Sequence, residues 1–420
     1  MTLLADLLST VFERRYRTTS SVAPGSRPLT ELAEELVGSA GESSGLTLAR
    51  EILSRFETMD DGGKLDFFRH VATALDIDPE RVRVALDAYE KEASKSTYRA
   101  FAEAAEPKRQ ELIRRLNQVP GATGQLVRMR AELLRLGGKE PALAALDLDF
   151  RHLFASWFNR GFLVLRPISW ESPAHILEKI IAYEAVHAID SWDDLRRRLQ
   201  PVDRRCFAFF HPAMPDEPLI FVEVALTQGI PGSIQALLAE NRDVVADDDG
   251  DTAVFYSISN CQAGLASISF GNSLIKQVAA DLSLELPGLK TFVTLSPIPG
   301  FMRWLDSEGI DHDPSDAPGM RALAAHYLVS AKGKGGLPLD PVARFHLGNG
   351  ALVHQVHAGA DLSEKGQSQS AGLMVNYLYD LSKVTQNQER FASSHDVAVS
   401  PDIRSLCAAA EKDLSQEPKT

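Results

Sequence analysis

Cysteine is scarce in this chain: Cys206, Cys261 and Cys407 are the three among 420 residues, and none forms a C-x-x-C spacing. A disulfide framework is therefore excluded, and a reducing compartment is the simpler reading. Long apolar runs are missing too. The stretch "LIFVEVAL" is typical of the longest, far short of the ~20 residues that cross a bilayer, so no membrane partner is expected. Positive charge is in deficit, with 44 Lys and Arg against 57 Asp and Glu, a formal net charge of −13. Nucleic acid and anionic membranes are thereby disfavoured as general partners, and an anionic ligand would need a local positive site. No Gly-Lys-Ser/Thr closes a phosphate loop, and no G-x-G-x-x-G or H-E-x-x-H is present. Neither a nucleotide cofactor nor a metal is expected, since no carboxylate or histidine cluster has ligand spacing.

What is present is ordinary in bulk: 44% apolar and 24% charged residues, enough chain for more than one domain. The opening "MTLLADLLSTVFERRYRTTSS" carries arginines on an amphipathic pattern, but Asp6 and Glu13 count against a mitochondrial transit peptide. It reads as a first amphipathic helix, and a cytoplasmic location is expected. Residues 1–157 read as helical throughout. In "LTLAREILSRFETM" the residues Leu46, Ala49, Leu53 and Phe56 recur on one face at helical spacing. "PERVRVALDAYEKEA" and "KRQELIRRLNQV" repeat the pattern, separated by Gly, Asp and Pro punctuation. This part contains no catalytic motif and reads as a helical bundle.

From residue 158 the pattern changes to a mixed-sheet α/β domain reaching residue 420. Strands are expected at Val164–Leu165, "RCFAFFHP", "LIFVEVALT" and "TAVFYSIS", the middle pair close enough for an antiparallel hairpin. A helix from about Ile268 to Leu284 then leads into the strand "LKTFVTL". Strand, loop, helix and strand in that order make a parallel crossover unit.

Four stretches could carry chemistry. In "SNCQAGLASISFGNSLIK", Gly264, Ala266, Ser267 and Gly271 crowd the passage from strand to helix. A phosphate fits backbone N–H groups at such a helix start, although small residues also serve tight helix–sheet packing. In "TFVTLSPIPGF", Ser296 sits at the rim of a strand, and Pro297 forces it into extended backbone. It is a rigid strand cap or a hydroxyl held for chemistry at the carboxyl end of a strand. In "ARFHLGNGALVH", His346 has a strand-like apolar setting just before a Gly-Asn-Gly turn. It is a core histidine or an acid/base group. In "SAGLMVNYLYDLS", Asn376, Tyr377 and Tyr379 interrupt what reads as an apolar helix, on which the two tyrosines face different sides.

Together these stretches resemble the malonyl-CoA decarboxylase family. The resemblance rests on "SPAHILEKIIAYEAVH", "HPAMPDEPLIFVEVALT", "GLASISFGNSLIK", "LSPIPGF", "RFHLGNGA" and "GLMVNY", in matching order and spacing. It implies an acetyltransferase-like fold for the second domain and an oligomerising role for the helical one, as a homodimer or homotetramer. Ser296 matches the family's catalytic serine and His346 its catalytic histidine. Tyr379 matches a tyrosine of the active-site neighbourhood. Ala266, Ser267, Ile268, Ser269, Phe270, Gly271 and Asn272 match the acyl-CoA-binding loop. Some relatives carry a glutamate where this chain has Ser269, so the group that orients His346 is open, with Asp361 one acidic candidate. The implied activity is cofactor-independent conversion of malonyl-CoA to acetyl-CoA and CO2 in fatty acid and malonate metabolism. An acyl-CoA-dependent N-acetyltransferase and a non-catalytic acyl-CoA sensor are the alternatives.

Overall fold

The computed structural model describes residues 27–39, 41–246, 249–268 and 274–416. The first amphipathic helix expected at the N-terminus lies outside these residues, as do Ser269, Phe270, Gly271 and Asn272. The chain divides into two compact units, Met1–Val119 and Pro120–Thr420.

In the first unit the described residues form the helices Leu29–Gly38, Glu42–Thr58, Asp61–Ala74, Pro79–Lys91, Lys95–Ala105 and Lys108–Leu116. Their starts are written in the sequence. Asp60 accepts the Gly63 N–H at 2.8 Å. Asp78 caps a helix with proline at its first turn, and Ser94 forms a capping box with Thr97. The face carrying Ala49, Leu53 and Phe56 is buried as the periodicity requires. Phe56 meets Phe68 with ring centroids 5.3 Å apart.

The second unit opens with the helices Ala122–Leu136 and Pro141–Trp157. An eight-stranded mixed sheet follows. Strands β1 (Val164–Ile168), β2 (Arg204–His211), β3 (Met214–Thr227) and β4 (Thr252–Asn260) pair in succession, all antiparallel. The helix Leu274–Glu285 crosses over to β5 (Thr291–Thr294), which runs parallel to β4. A helical unit followed by a mixed sheet with one such crossover is the expected arrangement. Core side chains from both faces enclose the sheet. Phe209, Val222 and Phe255 pack under the crossover helix, while Ala208, Phe210 and Phe221 pack under the helix Ala174–Tyr183.

The remaining strands correct two expectations. Strand β5 does not end on Ser296. It ends at Thr294, and Ser296–Pro297 forms a separate short strand, β6, paired with β8 (Met374–Leu378). The segment holding Asn376 and Tyr377 is therefore a strand, not a helix. Strand β7 (Leu352–His357) pairs antiparallel with β8 along its whole length, on the opposite edge. An apolar run of five to eight residues fits either element, and here the neighbouring strands decided. His346, for its part, lies on the helix Pro341–Gly348 rather than in a strand. The Asp-Pro pair before it and the Gly-Asn-Gly after it were a start and a stop signal. Asp340 accepts from the Ala343 N–H at 2.8 Å, and Gly350 closes the turn at φ +86°.

Candidate active site

The cleft follows from how β4 and β5 part. Their parallel pairing lasts four residues, from Thr252 opposite Thr291 to Phe255 opposite Thr294. The Leu295 N–H donates one more bond to the Phe255 carbonyl, at 3.1 Å. Ser296 then turns away to pair with Val375 of β8. Pro297 has no N–H to continue any ladder. Strand β4 meanwhile runs on to Asn260. Between the two lies a cleft of about 230 Å³, lined by Phe255, Tyr256, Ile258 and Asn260 on one side and by Ser296 and Pro297 on the other. Val186, Pro341, Val342, Phe345 and His346 complete its wall.

Two of the residues singled out in the sequence meet here, 50 positions apart: the Ser296 hydroxyl lies 3.2 Å from His346 Nε2. Ser296 Oγ also donates to Thr294 Oγ1 at 2.8 Å, and that oxygen in turn accepts the Tyr377 N–H at 3.1 Å. The third residue closes the other end of the imidazole, with Tyr379 OH 2.8 Å from His346 Nδ1. Tyr377 stacks on the same ring, centroids 4.5 Å apart and planes 23° from parallel. Both tyrosines can do this because Tyr379, one residue past β8, is still tied to β5 by its N–H on the Phe292 carbonyl at 2.8 Å, and residues two apart on extended backbone share a face. On a helix they would have pointed apart, and the sequence-based reading placed them so.

His346 is almost wholly buried, and burial pushes its pKa down to about 3. The imidazole is therefore neutral near pH 7. A phenol can donate to Nδ1 or accept from it, so Tyr379 is compatible with either tautomer. Among the described residues no carboxylate takes the orienting position, which Tyr379 holds. Asp361, the candidate from sequence, accepts instead from Gln235 and from the Ser363 N–H.

Of the candidate binding loop, Ala266, Ser267 and Ile268 follow a short turn, Ala263–Leu265, and Ser267 adopts a positive φ of 62°. The expected helix begins among the described residues at Leu274, not Ile268. At Gly264 the reason for glycine is packing: a Cβ there would lie 1.8 Å from the Val127 carbonyl oxygen. Sequence reasoning missed the residue that holds this loop. Arg130, buried on the helix Ala122–Leu136, donates to the carbonyls of Gly264 and Ala266 at 2.7 and 2.9 Å and pairs with Asp147. An isolated arginine on an amphipathic helix carries no signal of that role. Nearby, Lys276 of the crossover helix is held below its usual pKa by burial and by the positive charge of Arg160. Among the described residues there is no group of His, Cys, Asp and Glu able to hold a metal ion, and no helix long and apolar enough to cross a membrane.

A mixed sheet with a diverging parallel pair, and a serine and a histidine hydrogen-bonded in the gap, frames the candidate site. Comparison with known proteins supplies the family. The chain belongs to the malonyl-CoA decarboxylase family: the model of that family's C-terminal domain matches residues 161–317 and 315–417, and the model of its N-terminal domain matches 75–158. It is 33% identical over 354 residues to the mitochondrial malonyl-CoA decarboxylase of Mus musculus, covering 72% of this chain and 71% of that one. The mitochondrial enzyme of the goose Anser anser anser is 33% identical over 352 residues, covering 71% and 69%. Among solved structures, malonyl-CoA decarboxylase from Rhodopseudomonas palustris is 48% identical with a TM-score of 0.85, over 90% of this chain and 98% of that one. The Cupriavidus metallidurans protein is 36% identical with a TM-score of 0.71, over 90% and 98%.

Proposed function

We propose that this chain is a carboxy-lyase that converts malonyl-CoA to acetyl-CoA and CO2. One observation carries the reading beyond family membership: Ser296 and His346 are hydrogen-bonded in the cleft between β4 and β5. The substrate brings its own electron sink. When the malonyl carboxylate is held out of the thioester plane, the C–C bond breaks, CO2 leaves, and the electron pair passes into the thioester as an enolate. The enzyme then has two tasks: to stabilise the enolate oxygen and to deliver a proton to C2. A single donor aimed at such an oxygen contributes about 3 kcal/mol.

His346 is the proton donor in this scheme. Burial alone keeps it neutral. The malonyl carboxylate brings a negative charge beside it and favours the imidazolium, so the ring gains its proton as substrate binds. Tyr379 then accepts from Nδ1–H, and Nε2–H faces Ser296 and the cleft. The Ser296 hydroxyl binds the acyl group and relays the proton.

The unpaired edge of β4 suits the amide-bearing arm of coenzyme A. The Ala266–Asn272 run, followed four positions on by Lys276, suits the phosphates: Lys276 feels the positive charge of Arg160, and an anion offsets two like charges held close together. That is the local positive site a chain of net charge −13 requires. The helical unit serves self-association. Its helix Pro79–Lys91 buries no residue, and Val84 and Tyr98 are 61% and 60% exposed. Light scattering tests this on a chain shortened to begin at Pro120, which should lose the parent's oligomeric state. The cytoplasmic reading rests on Asp6 and Glu13 in the opening stretch, and cell fractionation separates it from the mitochondrial location named for the goose and mouse relatives.

The decisive experiment is incubation with malonyl-CoA and no acceptor. Acetyl-CoA and CO2 are expected. Acetyl transfer only when an amine is added would identify an acetyltransferase, and tight binding without turnover would identify a sensor.

A further inference from the structure

Asp340 is fully buried at the N-terminal end of the helix that carries His346. One of its oxygens accepts the Ala343 N–H at 2.8 Å, the ordinary work of a helix cap. Its other oxygen faces a different segment. Tyr327 OH lies 3.5 Å from that oxygen, and a Cβ built on Gly300 would stand 3.9 Å from it and 2.3 Å from the tyrosine hydroxyl. The Gly300 N–H stands close enough to this carboxyl to favour its ionised form. Gly300 closes the Ser-Pro-Ile-Pro-Gly run that starts at Ser296, and two prolines stiffen that run. The carboxylate therefore caps one of the two segments whose ends must meet and stands beside the other. One leads through a rigid turn to the serine, the other through a turn and a half of helix to the histidine.

We propose that Asp340 is a positioning residue for catalysis, tying the Ser296 turn to the His346 helix so that hydroxyl and imidazole stay at bonding distance. The inference rests on the carboxy-lyase reading of this site and extends it to a residue outside the cleft wall. A displacement of about 1 Å at such a pair can cost roughly a hundredfold in rate.

The tie depends on charge, since an ionised carboxyl accepts from several N–H groups and a protonated one accepts from fewer. Burial raises the Asp340 pKa to about 6, while the Ala343, Val342 and Gly300 N–H groups and Tyr327 pull the other way. The titratable groups facing it are Tyr327 from the helix Ala317–Ser330 and Tyr377 from β8, and Tyr327 in turn feels Arg303 from the helix Phe301–Glu308 and Arg344 from the His346 helix. Both tyrosines are pushed upward, so neither changes charge near pH 6. Because the folded value lies above the ordinary 3.8, folding takes up a proton between these two values. Stability therefore falls as pH rises through about 6, and the active, ionised form is the less stable one.

Asp340→Asn separates the tie from the cap. Asparagine retains an acceptor for the Ala343 N–H and presents an NH2 group where the second oxygen faced Gly300. The assay is kcat and KM for malonyl-CoA between pH 5 and 8, with thermal melting at pH 7.5. Hydrogen exchange of the Gly300, Val342 and Ala343 amides is followed alongside. Expected for the parent is a kcat that declines below about pH 6. Expected for the variant at pH 7.5 is a kcat about 10–100-fold lower with KM little changed, no decline near pH 6, a Tm equal or higher, and faster exchange at Gly300 but not at Ala343. A variant with the parent's kcat, pH profile and Gly300 exchange would overturn the inference. So would one that melts lower and loses kcat only in proportion to its unfolded fraction, since Asp340 would then be a cap and nothing more. A parent protein that does not turn over malonyl-CoA would remove the carboxy-lyase reading instead. The Gly300 exchange rate would still decide whether Asp340 makes the tie.

Discussion

The two units bury different things. Among the described residues of the helical unit, Arg109 is the one buried polar side chain, and the rest of its interior is Leu, Ile, Ala, Val and Phe. Its charges sit outside as short-range pairs such as Arg55 with Glu51 and Arg83 with Glu80. The sheet unit buries Thr294, Ser296, Asp340, His346 and Asn376 close to one another, each with a hydrogen-bond partner. Burying polar groups costs free energy unless each is satisfied, and an incomplete network is worse than an apolar core. The helical unit avoids that cost with an almost wholly apolar interior, and the sheet unit carries it around the Ser296–His346 pair.

The comparison breaks most visibly at the reacting pair. Ser296→Ala and His346→Asn should each lower kcat by about 10²–10⁴, the range for losing a positioned acid/base group, with a smaller change in KM. The double variant should be little worse than the worse single one, because groups that act together are not additive. Steady-state kinetics on protein shown to be folded checks this. A folded His346→Asn protein working at the parent rate would take the histidine out of the mechanism.

In the helical unit the corresponding change should affect stability and leave turnover alone. Phe68 is 1% exposed and packs on Phe56. Phe68→Ala should cost about 3–5 kcal/mol in denaturant unfolding, while kcat per folded molecule stays at the parent value. A matching fall in kcat would mean that the helical unit takes part in catalysis.

Tyr379→Phe tests a buried polar group that supports another. It removes the hydroxyl 2.8 Å from His346 Nδ1 and leaves that nitrogen unpaired, which costs about 1–3 kcal/mol. We expect kcat about tenfold lower, the size of one lost positioning bond, together with a lower Tm. Unchanged kcat would leave the tyrosine a packing residue.

At the small end stands Arg83, whose side chain is 70% exposed and pairs with Glu80. Arg83→Ala should move Tm by no more than about 1 °C, as is usual for exposed pairs. A larger shift would show that the helix Pro79–Lys91 is engaged with a second copy of the chain, in keeping with its lack of buried residues.

Much of this was legible beforehand because it depends on short-range patterns. Helical periodicity in the first part, the hairpin of β2 and β3 and the parallel crossover into β5 all follow from spacing within one or two elements. Ser296, His346 and Tyr379 stood out through motif resemblance. What misled was the same short-range view applied to "FHLGNGALVH" and "LMVNYLYD". Apolar runs of that length fit a strand or a helix, and the Asp-Pro start before His346 was the overlooked cue. Arg130 gave no signal, and Asp340 gave none beyond its cap, since the neighbours in question lie 40 or more positions away: Gly300 near Asp340, and Gly264 bonded to Arg130, 134 positions on.

By itself the amino-acid order determined which stretches would be helix and which strand in most of the chain, and which residues could do chemistry. It determined too that Pro297 would carry Ser296 out of the β5 ladder, because a ring without an N–H cannot continue one. Only the tertiary structure decided that β4 and β5 would part after Phe255 and Thr294. It also decided that Tyr377 and Tyr379 would meet around one imidazole, with a phenol rather than a carboxylate at its Nδ1. The physical reason is that protonation and bonding partners are set by burial and by distances between residues far apart in the chain. His346 Nε2 meets Ser296 across 50 positions, and its pKa is lowered by burial alone.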